Sequence, residues 1–230
     1  MSNPLRNAVQ QSPLISTQPL PDFELIETFR YEPCCGFLRV DQHLQRLANS
    51  SAELGFTFNE AQTRATLHSY ETGDQALRLR LNLAPDGVTT ITCTPFQPLP
   101  PAYVWKLAIA KTCLSSSDPL LRHKTSRRQL YEAARAEFSH EQADEVLLLN
   151  ENDELCEGTI TSLFVDMGDG TCLTPPLECG LLNGIMREHL LEQGVVKTAR
   201  ITVDDLKKAR KIFVGNSLRG MIAAELINQS

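Results

Sequence analysis

Polar and apolar residues alternate most cleanly over "LRLRLNL", where Leu77, Leu79, Leu81 and Leu83 are separated by Arg78, Arg80 and Asn82. A period of two marks a strand with one buried face. "APDG" supplies turn chemistry after it, and "VTTITCT" reads as the returning strand. Upstream, "FELIETFRY" (Phe23 to Tyr31) reads as a strand, "EPCCG" as a turn and Phe37 to Val40 as a second short strand. Asp41 reads as a helix N-cap, because Leu44, Leu47, Ala48, Ser51 and Leu54 then share one helical face. Asn59 reads as the cap of a second helix running to about Tyr70.

The pattern is interrupted by "PFQPLPPAY" (Pro95 to Tyr103), whose prolines favour an extended connector. The chain is therefore expected to divide into a polar lead-in over 1–22, a small N-terminal α/β domain over 23–95, a linker over 96–103 and a larger C-terminal α+β domain over 104–230. In the second part, strands are expected at "VWKLAIA", "DEVLLLN" and "KIFVG", and "SLFVDMGDGTCLTPP" reads as a hairpin with a Gly-Asp-Gly turn. Helices are expected through Ala133–Glu137, from near Gly184 to Gly194, and over Val203–Lys208. Strands and helices mix without regular βαβ alternation, so the class is α+β rather than a doubly wound sheet.

Composition narrows the function classes. The net charge of −6 argues against general nucleic-acid binding, which needs a basic face. No apolar run is long enough to span a bilayer, and the first residues lack a signal-peptide core, so a cytoplasmic protein is expected. The seven cysteines are odd in number and form no C-x-x-C pair, which argues against a disulfide framework or a zinc site. Cys34 and Cys35 read as two reduced thiols at the turn before Gly36.

Candidate chemistry begins at Lys124 in "DPLLRHKTSRRQLYEAA". Arg122, Arg127 and Arg128 crowd it, just before a threonine that reads as a helix start. Like charges so close are unfavourable unless an anion or a covalent partner intervenes, and an amine that condenses with an aldehyde loses its charge. Arg46 lies on a helix beside apolar Leu44 and Leu47 and calls for an anion, either a phosphate or a carboxylate. Glu157 precedes Gly158, Thr159, Thr161 and Ser162, a set able to hold a cationic ring nitrogen beside a hydrogen-bonding loop. Gly184 opens a helix whose N-terminus suits a phosphate, and Gly215, Asn216 and Ser217 end a strand in a second anion loop. Each feature alone also reads as something ordinary: a solvated surface, a salt bridge, a strand edge or a turn. No Walker loop, G-x-G-x-x-G, H-E-x-x-H or G-x-S-x-G is present.

Six segments, "FELIETFRY", "HLQRLANSSAELGF", "HKTSRRQLYEAA", "ADEVLLLNENDELCEGTITSLF", "LTPPLECGLLNGIMREHLL" and "IFVGNSLRG", occur in the order found in one family. The chain resembles the class IV aminotransferases, fold type IV enzymes that use pyridoxal 5′-phosphate, from about Phe23 to Ile227. The resemblance implies a D-amino acid aminotransferase-like fold and a homodimer. By this match Lys124 bonds covalently to the cofactor, Glu157 pairs with its pyridine nitrogen, and Arg46 contacts its phosphate. Ile185 and Met186 supply backbone amides to that phosphate, and Ser217, with Asn216 beside it, lies on the last phosphate loop. Met186 stands where many relatives carry threonine, and Ser162 where asparagine is common.

"LLRHKTSRRQLYEAA", "LTPPLECGLLNG" and "NSLRG" look most like 4-amino-4-deoxychorismate lyase members of the family. That implies elimination of pyruvate to give 4-aminobenzoate in folate synthesis, with Lys124 moving the proton. Arg30, Arg78, Arg80 and Arg122 are candidates for the two substrate carboxylates. The alternative is an aminotransferase acting on branched-chain or D-amino acids, which shares the first steps. A non-catalytic binding member is a third reading, against which intact Lys124 and Glu157 argue.

Overall fold

The computed structural model describes residues 21–71, 73–168 and 170–227. Most of the expected polar lead-in, and the aspartate at the tip of the Gly-Asp-Gly turn, lie outside the described residues.

The chain opens with β1 (Leu25–Glu32), β2 (Gly36–Phe37), α1 (Val40–Leu54), α2 (Glu60–His68), β3 (Leu77–Leu83) and β4 (Thr89–Pro95). The strands form one antiparallel sheet in the order β2-β1-β3-β4. The alternating leucines behave as their period requires: Leu79, Leu81 and Leu83 are fully buried, packed with Leu25 and Phe29 of β1 and Leu44 and Leu47 of α1. Asn59 caps α2 by accepting from the Gln62 amide at 3.0 Å. Two boundaries differ from the sequence expectation. The second strand stops at Phe37, because Arg39 adopts a left-handed backbone (φ 56°) that ends the extended chain and starts the helix at Val40. Asp41 therefore lies inside the first helical turn, paired to Arg64, and is not the cap.

Beyond the proline-rich connector come β5 (Trp105–Leu114), a 3-10 turn (Pro119–Arg122), α3 (Gln129–Ala136), β6 (Glu145–Asn150), β7 (Leu155–Gly158), β8 (Ser162–Asp166) and β9 (Cys172–Thr174). The remainder is a 3-10 turn (Leu177–Cys179), α4 (Ile185–Glu192), β10 (Val196–Thr198), α5 (Val203–Lys208), β11 (Lys211–Asn216) and β12 (Gly220–Leu226). The eight strands make one mixed sheet, β10-β9-β8-β11-β12-β5-β6-β7. Its two faces are buried against different partners. Ala108, Val146 and Leu148 pack with α3, whereas Leu107, Leu147, Leu163 and Val214 pack with Leu206 of α5. The strand β12 was not expected from the sequence, since Met221, Ala223 and Glu225 give it no clear alternation.

Thr125 is not a helix start. Lys124 and its neighbours run extended: the Ile26 amide donates to the Lys124 carbonyl at 2.8 Å, Thr125 bridges Leu25, and the Ser126 amide donates to the Glu24 carbonyl at 2.8 Å. The segment thus extends the small sheet beside β1, and α3 begins only at Gln129.

Candidate active site

A cavity of about 600 Å³ opens between the two sheets. That size suits a small organic ligand. Thr28 (β1), Arg46 (α1) and Arg78 (β3) line it from the small sheet; Lys124, Glu157, Thr161 and Ser217 line it from the chain that follows the connector.

Lys124 is surrounded by more positive than negative charge. Burial, then Arg46 and Arg128, push its amine down to about 8, against the pull of Glu27 and Glu157. Of the three arginines adjacent in sequence, Arg128 is the one among the main influences on Lys124. Arg127 is paired with Asp22 at 2.6 Å and stacked over Phe23, and Arg122 is not among the lining residues. The Asp118-capped turn places Leu120 and Leu121 in the cavity wall instead.

Glu157, the third residue of β7, is buried although β7 is an edge strand. Burial pushes its carboxyl up to about 7, in spite of the Tyr131 hydroxyl donating at 2.7 Å and the Leu182 amide at 3.2 Å. Both bonds end on Oε1, which leaves Oε2 for a ring nitrogen. The loop after it is held by a residue the sequence did not reveal. Buried Glu145 accepts from the Thr159 and Ile160 amides at 3.0 and 3.1 Å and from the Thr159 and Thr161 hydroxyls. A Cβ on Gly158 would meet that carboxylate at 2.8 Å, so the loop requires glycine there.

At the other end, Arg46 makes a two-pronged pair with Glu27, at 2.8 Å from Nε and 2.7 Å from Nη2, and its Nη1 donates to the Asn183 carbonyl at 3.1 Å. Glu27 also bonds His43 Nδ1 at 2.6 Å, and His43 Nε2 lies 2.9 Å from the Ser217 hydroxyl. With two such partners the buried carboxylate is held down to about 2. Nothing in the sequence reading singled out Glu27, but there was a signal: it shares the inward face of β1 with Leu25, Phe29 and Tyr31, where an unpaired charge is not tolerated. Gly184 caps α4 without a side chain, and a Cβ there would strike Ser162 Oγ at 2.7 Å. The free amides of the first turn, at Ile185 and Met186, therefore start beside Arg46's contact at Asn183. Asn216 lines the cavity while bonding the Ile160 carbonyl and the Arg219 amide.

The candidate carboxylate-binding arginines separate. Arg78 and Arg80 line the cavity, and Arg128 and Arg219 join them. Among the described residues none of these four forms a salt bridge. Arg30 sits at the far end of β1, paired with Glu32 and stacked over Phe96 at 4.2 Å, outside the cavity. No group of three or more possible metal ligands occurs among the described residues, and no described helix is long and apolar enough to cross a membrane.

The residues present fit a phosphorylated aldehyde: a partly neutral amine, a buried carboxyl with one oxygen to spare, and an arginine beside a bare helix N-terminus. Comparison with known proteins agrees. The family model for amino-transferase class IV matches residues 23–227. The chain is 27% identical over 216 residues to a Schizosaccharomyces pombe protein named "Putative aminodeoxychorismate lyase", covering 91% of this chain and 92% of that one. A solved structure from Mesorhizobium loti, described as a "Putative amino-acid aminotransferase", is 51% identical, with a TM-score of 0.87 over 90% of this chain and 100% of that one. The 4-amino-4-deoxychorismate lyase of Pseudomonas aeruginosa, at 24% identity, shares the fold with a TM-score of 0.71 over 90% and 83% of the two chains. The chain belongs to the amino-transferase class IV family, with its α+β fold, and is an enzyme that works with pyridoxal 5′-phosphate.

Proposed function

We propose that the enzyme is a 4-amino-4-deoxychorismate lyase, releasing pyruvate and 4-aminobenzoate. One observation carries this reading: Arg78, Arg80, Arg128 and Arg219 line the cavity with no salt bridge among the described residues. Crowded guanidinium groups repel, and Arg80 and Arg219 are each pushed down by burial and by Arg78. A substrate with two carboxylates relieves that repulsion, whereas the aliphatic side chain of a branched-chain amino acid does not. The S. pombe relative named as a lyase supports the same reading.

The roles of the residues follow from their surroundings. Lys124 would hold the cofactor, and its amine, at about 8, is neutral near pH 7 roughly two orders of magnitude more often than an ordinary lysine. It takes the proton from the carbon bearing the substrate nitrogen and returns it to the departing fragment. Glu157, oriented by the Tyr131 hydroxyl, would keep a proton at the cofactor's ring nitrogen. Arg46, the Ile185 and Met186 amides, Asn216 and Ser217 would hold the cofactor phosphate. The bound cofactor supplies the electron sink for charge developing on carbon. Homodimerisation and a place in folate synthesis belong to this same reading.

A second reading is favoured by the M. loti neighbour: transamination, with the arginines taking a dicarboxylic amino acid. Cofactor-loaded enzyme given 4-amino-4-deoxychorismate should form 4-aminobenzoate and pyruvate in equal amounts. Keto acids from amino acids plus 2-oxoglutarate, with no 4-aminobenzoate, would establish the second reading instead.

A further inference from the structure

Glu27 is ionised, and a carboxylate only accepts hydrogen bonds, so His43 Nδ1 is the donor across their 2.6 Å contact. In a neutral imidazole the other nitrogen is then an acceptor. The Ser217 hydroxyl, 2.9 Å from Nε2, must therefore donate into His43. In that arrangement Ser217, which lines the cavity, offers an incoming anion only lone pairs.

The charge balance is equally unfavourable for a phosphate. Glu27 and Arg46 cancel one another, so the pair supplies hydrogen bonds but no net charge. A phosphate monoester brings about two negative charges near neutral pH. The groups facing His43 are Glu27 and the ring of Phe29 from β1, Arg46 one turn along α1, Lys124 from the extended segment, and Ser217 from the turn between β11 and β12. Arg46 is permanently charged, and the Lys124 amine, at about 8 when no aldehyde is bound to it, is already mostly charged near and below neutral pH. His43 is the group left to answer the added charge.

We propose that His43 is a proton-linked positioning residue of the phosphate site: when phosphate binds, Nε2 takes a proton from solvent, becomes a donor to Ser217 Oγ, and frees the Ser217 hydroxyl to donate to the phosphate. The inference rests on the phosphate lying at Arg46 and Ser217, as proposed above. Before binding, burial holds the imidazole below its ordinary range, although Glu27 pulls it upward. Between the free and the loaded pKa, phosphate affinity must then fall as pH rises, by about tenfold per pH unit for each proton taken up.

The test uses pyridoxamine 5′-phosphate and pyridoxamine, neither of which carries an aldehyde for Lys124. Calorimetry in buffers of different protonation enthalpy counts the protons exchanged, and imidazole nitrogen NMR reports the state of His43. The chain has five histidines, so the His43 signals are those lost in His43→Gln. The phosphorylated compound should take up about one proton more than pyridoxamine, and His43 should become imidazolium only with it. Ring-nitrogen protonation at Glu157 is common to both compounds and cancels. His43→Gln, which keeps an amide but cannot charge, should lose the difference, so that the two compounds bind it with parallel pH profiles. Should that variant not fold, the His43 signals are identified by the ring proton held between Nδ1 and buried Glu27, which resists solvent exchange, and the titration of the unaltered chain decides. A neutral His43 in the loaded protein overturns the proposal, as does an uptake difference that survives in His43→Gln. If neither compound binds, the cofactor reading fails first and takes this proposal with it.

Discussion

Two buried carboxylates face the same lysine and are driven in opposite directions. Glu27 is 1% exposed and Glu157 is 6% exposed, yet the first is held down to about 2 and the second is pushed up to about 7. Burial is the first influence on both, and it raises both. The difference lies in the partners. Glu27 is gripped by the Arg46 fork and bonded to His43, whereas Glu157 has a neutral hydroxyl and a backbone amide. Cationic partners convert a buried acid into a permanent anion; neutral donors leave it able to change charge with its ligand. The cavity therefore has a fixed electrostatic end, where a phosphate would be anchored, and a titratable end, where a ring nitrogen would be met.

The most severe way to break this comparison is to remove the amine that both acids attract. Lys124→Ala should lower 4-aminobenzoate formation by at least about three orders of magnitude, read by product assay, because covalent attachment and proton transfer are lost together. Breaking the fixed end comes next. Glu27→Gln should cost about 3–5 kcal/mol in urea unfolding, since it leaves Arg46 buried without its counter-charge. The pH dependence has a definite sign. A folded-state pKa below the ordinary 4.5 means the stabilisation is complete above 4.5 and lost as pH falls toward about 2, so the unaltered chain should weaken across that range and the variant should not.

The titratable end should respond in the reverse sense. The raised carboxyl of Glu157 stabilises the cofactor-free fold below 4.5, and that contribution is lost as pH rises through about 7. Glu157→Gln should therefore stabilise the cofactor-free protein by on the order of 2 kcal/mol near pH 8, with the gain vanishing in acid, while slowing the loaded enzyme. Thermal unfolding at several pH values checks the first half and turnover the second. The smallest change is Tyr131→Phe, which removes the donor on Oε1. It should move the Glu157 carboxyl still higher, an effect of about 1 kcal/mol visible as an alkaline shift in its infrared titration.

Local structure was readable where period and capping coincide. The Leu77–Leu83 alternation, the Asn59 cap and the Val203–Lys208 helix need only neighbours a few residues away. The chemistry-bearing residues were readable only in combination, since a lysine among arginines and a glutamate before glycine and threonines are each ordinary alone, and their meeting at one cavity was not readable. Lys124 reaches it through an isolated bridge beside β1, and Glu157 from a buried sheet edge, through pairings that no spacing encodes. Arg30 shows the same limit from the other side. It is the register partner of Arg78, yet the two part company because Phe96 and Glu32 capture Arg30 at the end of its strand. The Glu145 brace was hidden because the acid pair Asp144 and Glu145 before "VLLL" looks like any strand opening.

The bonds from Glu24 and Ile26 to the Lys124 segment carry one more implication. The side chain proposed to react is encoded after the proline-rich connector, but its seat is made by the first strand. A chimera joining the opening third of this gene to the remainder of a relative's would seat an unchanged lysine on a foreign backbone. Breeding new specificity by exchanging halves would thus alter the reaction centre itself, while exchanging cavity arginines one at a time would leave that centre in place.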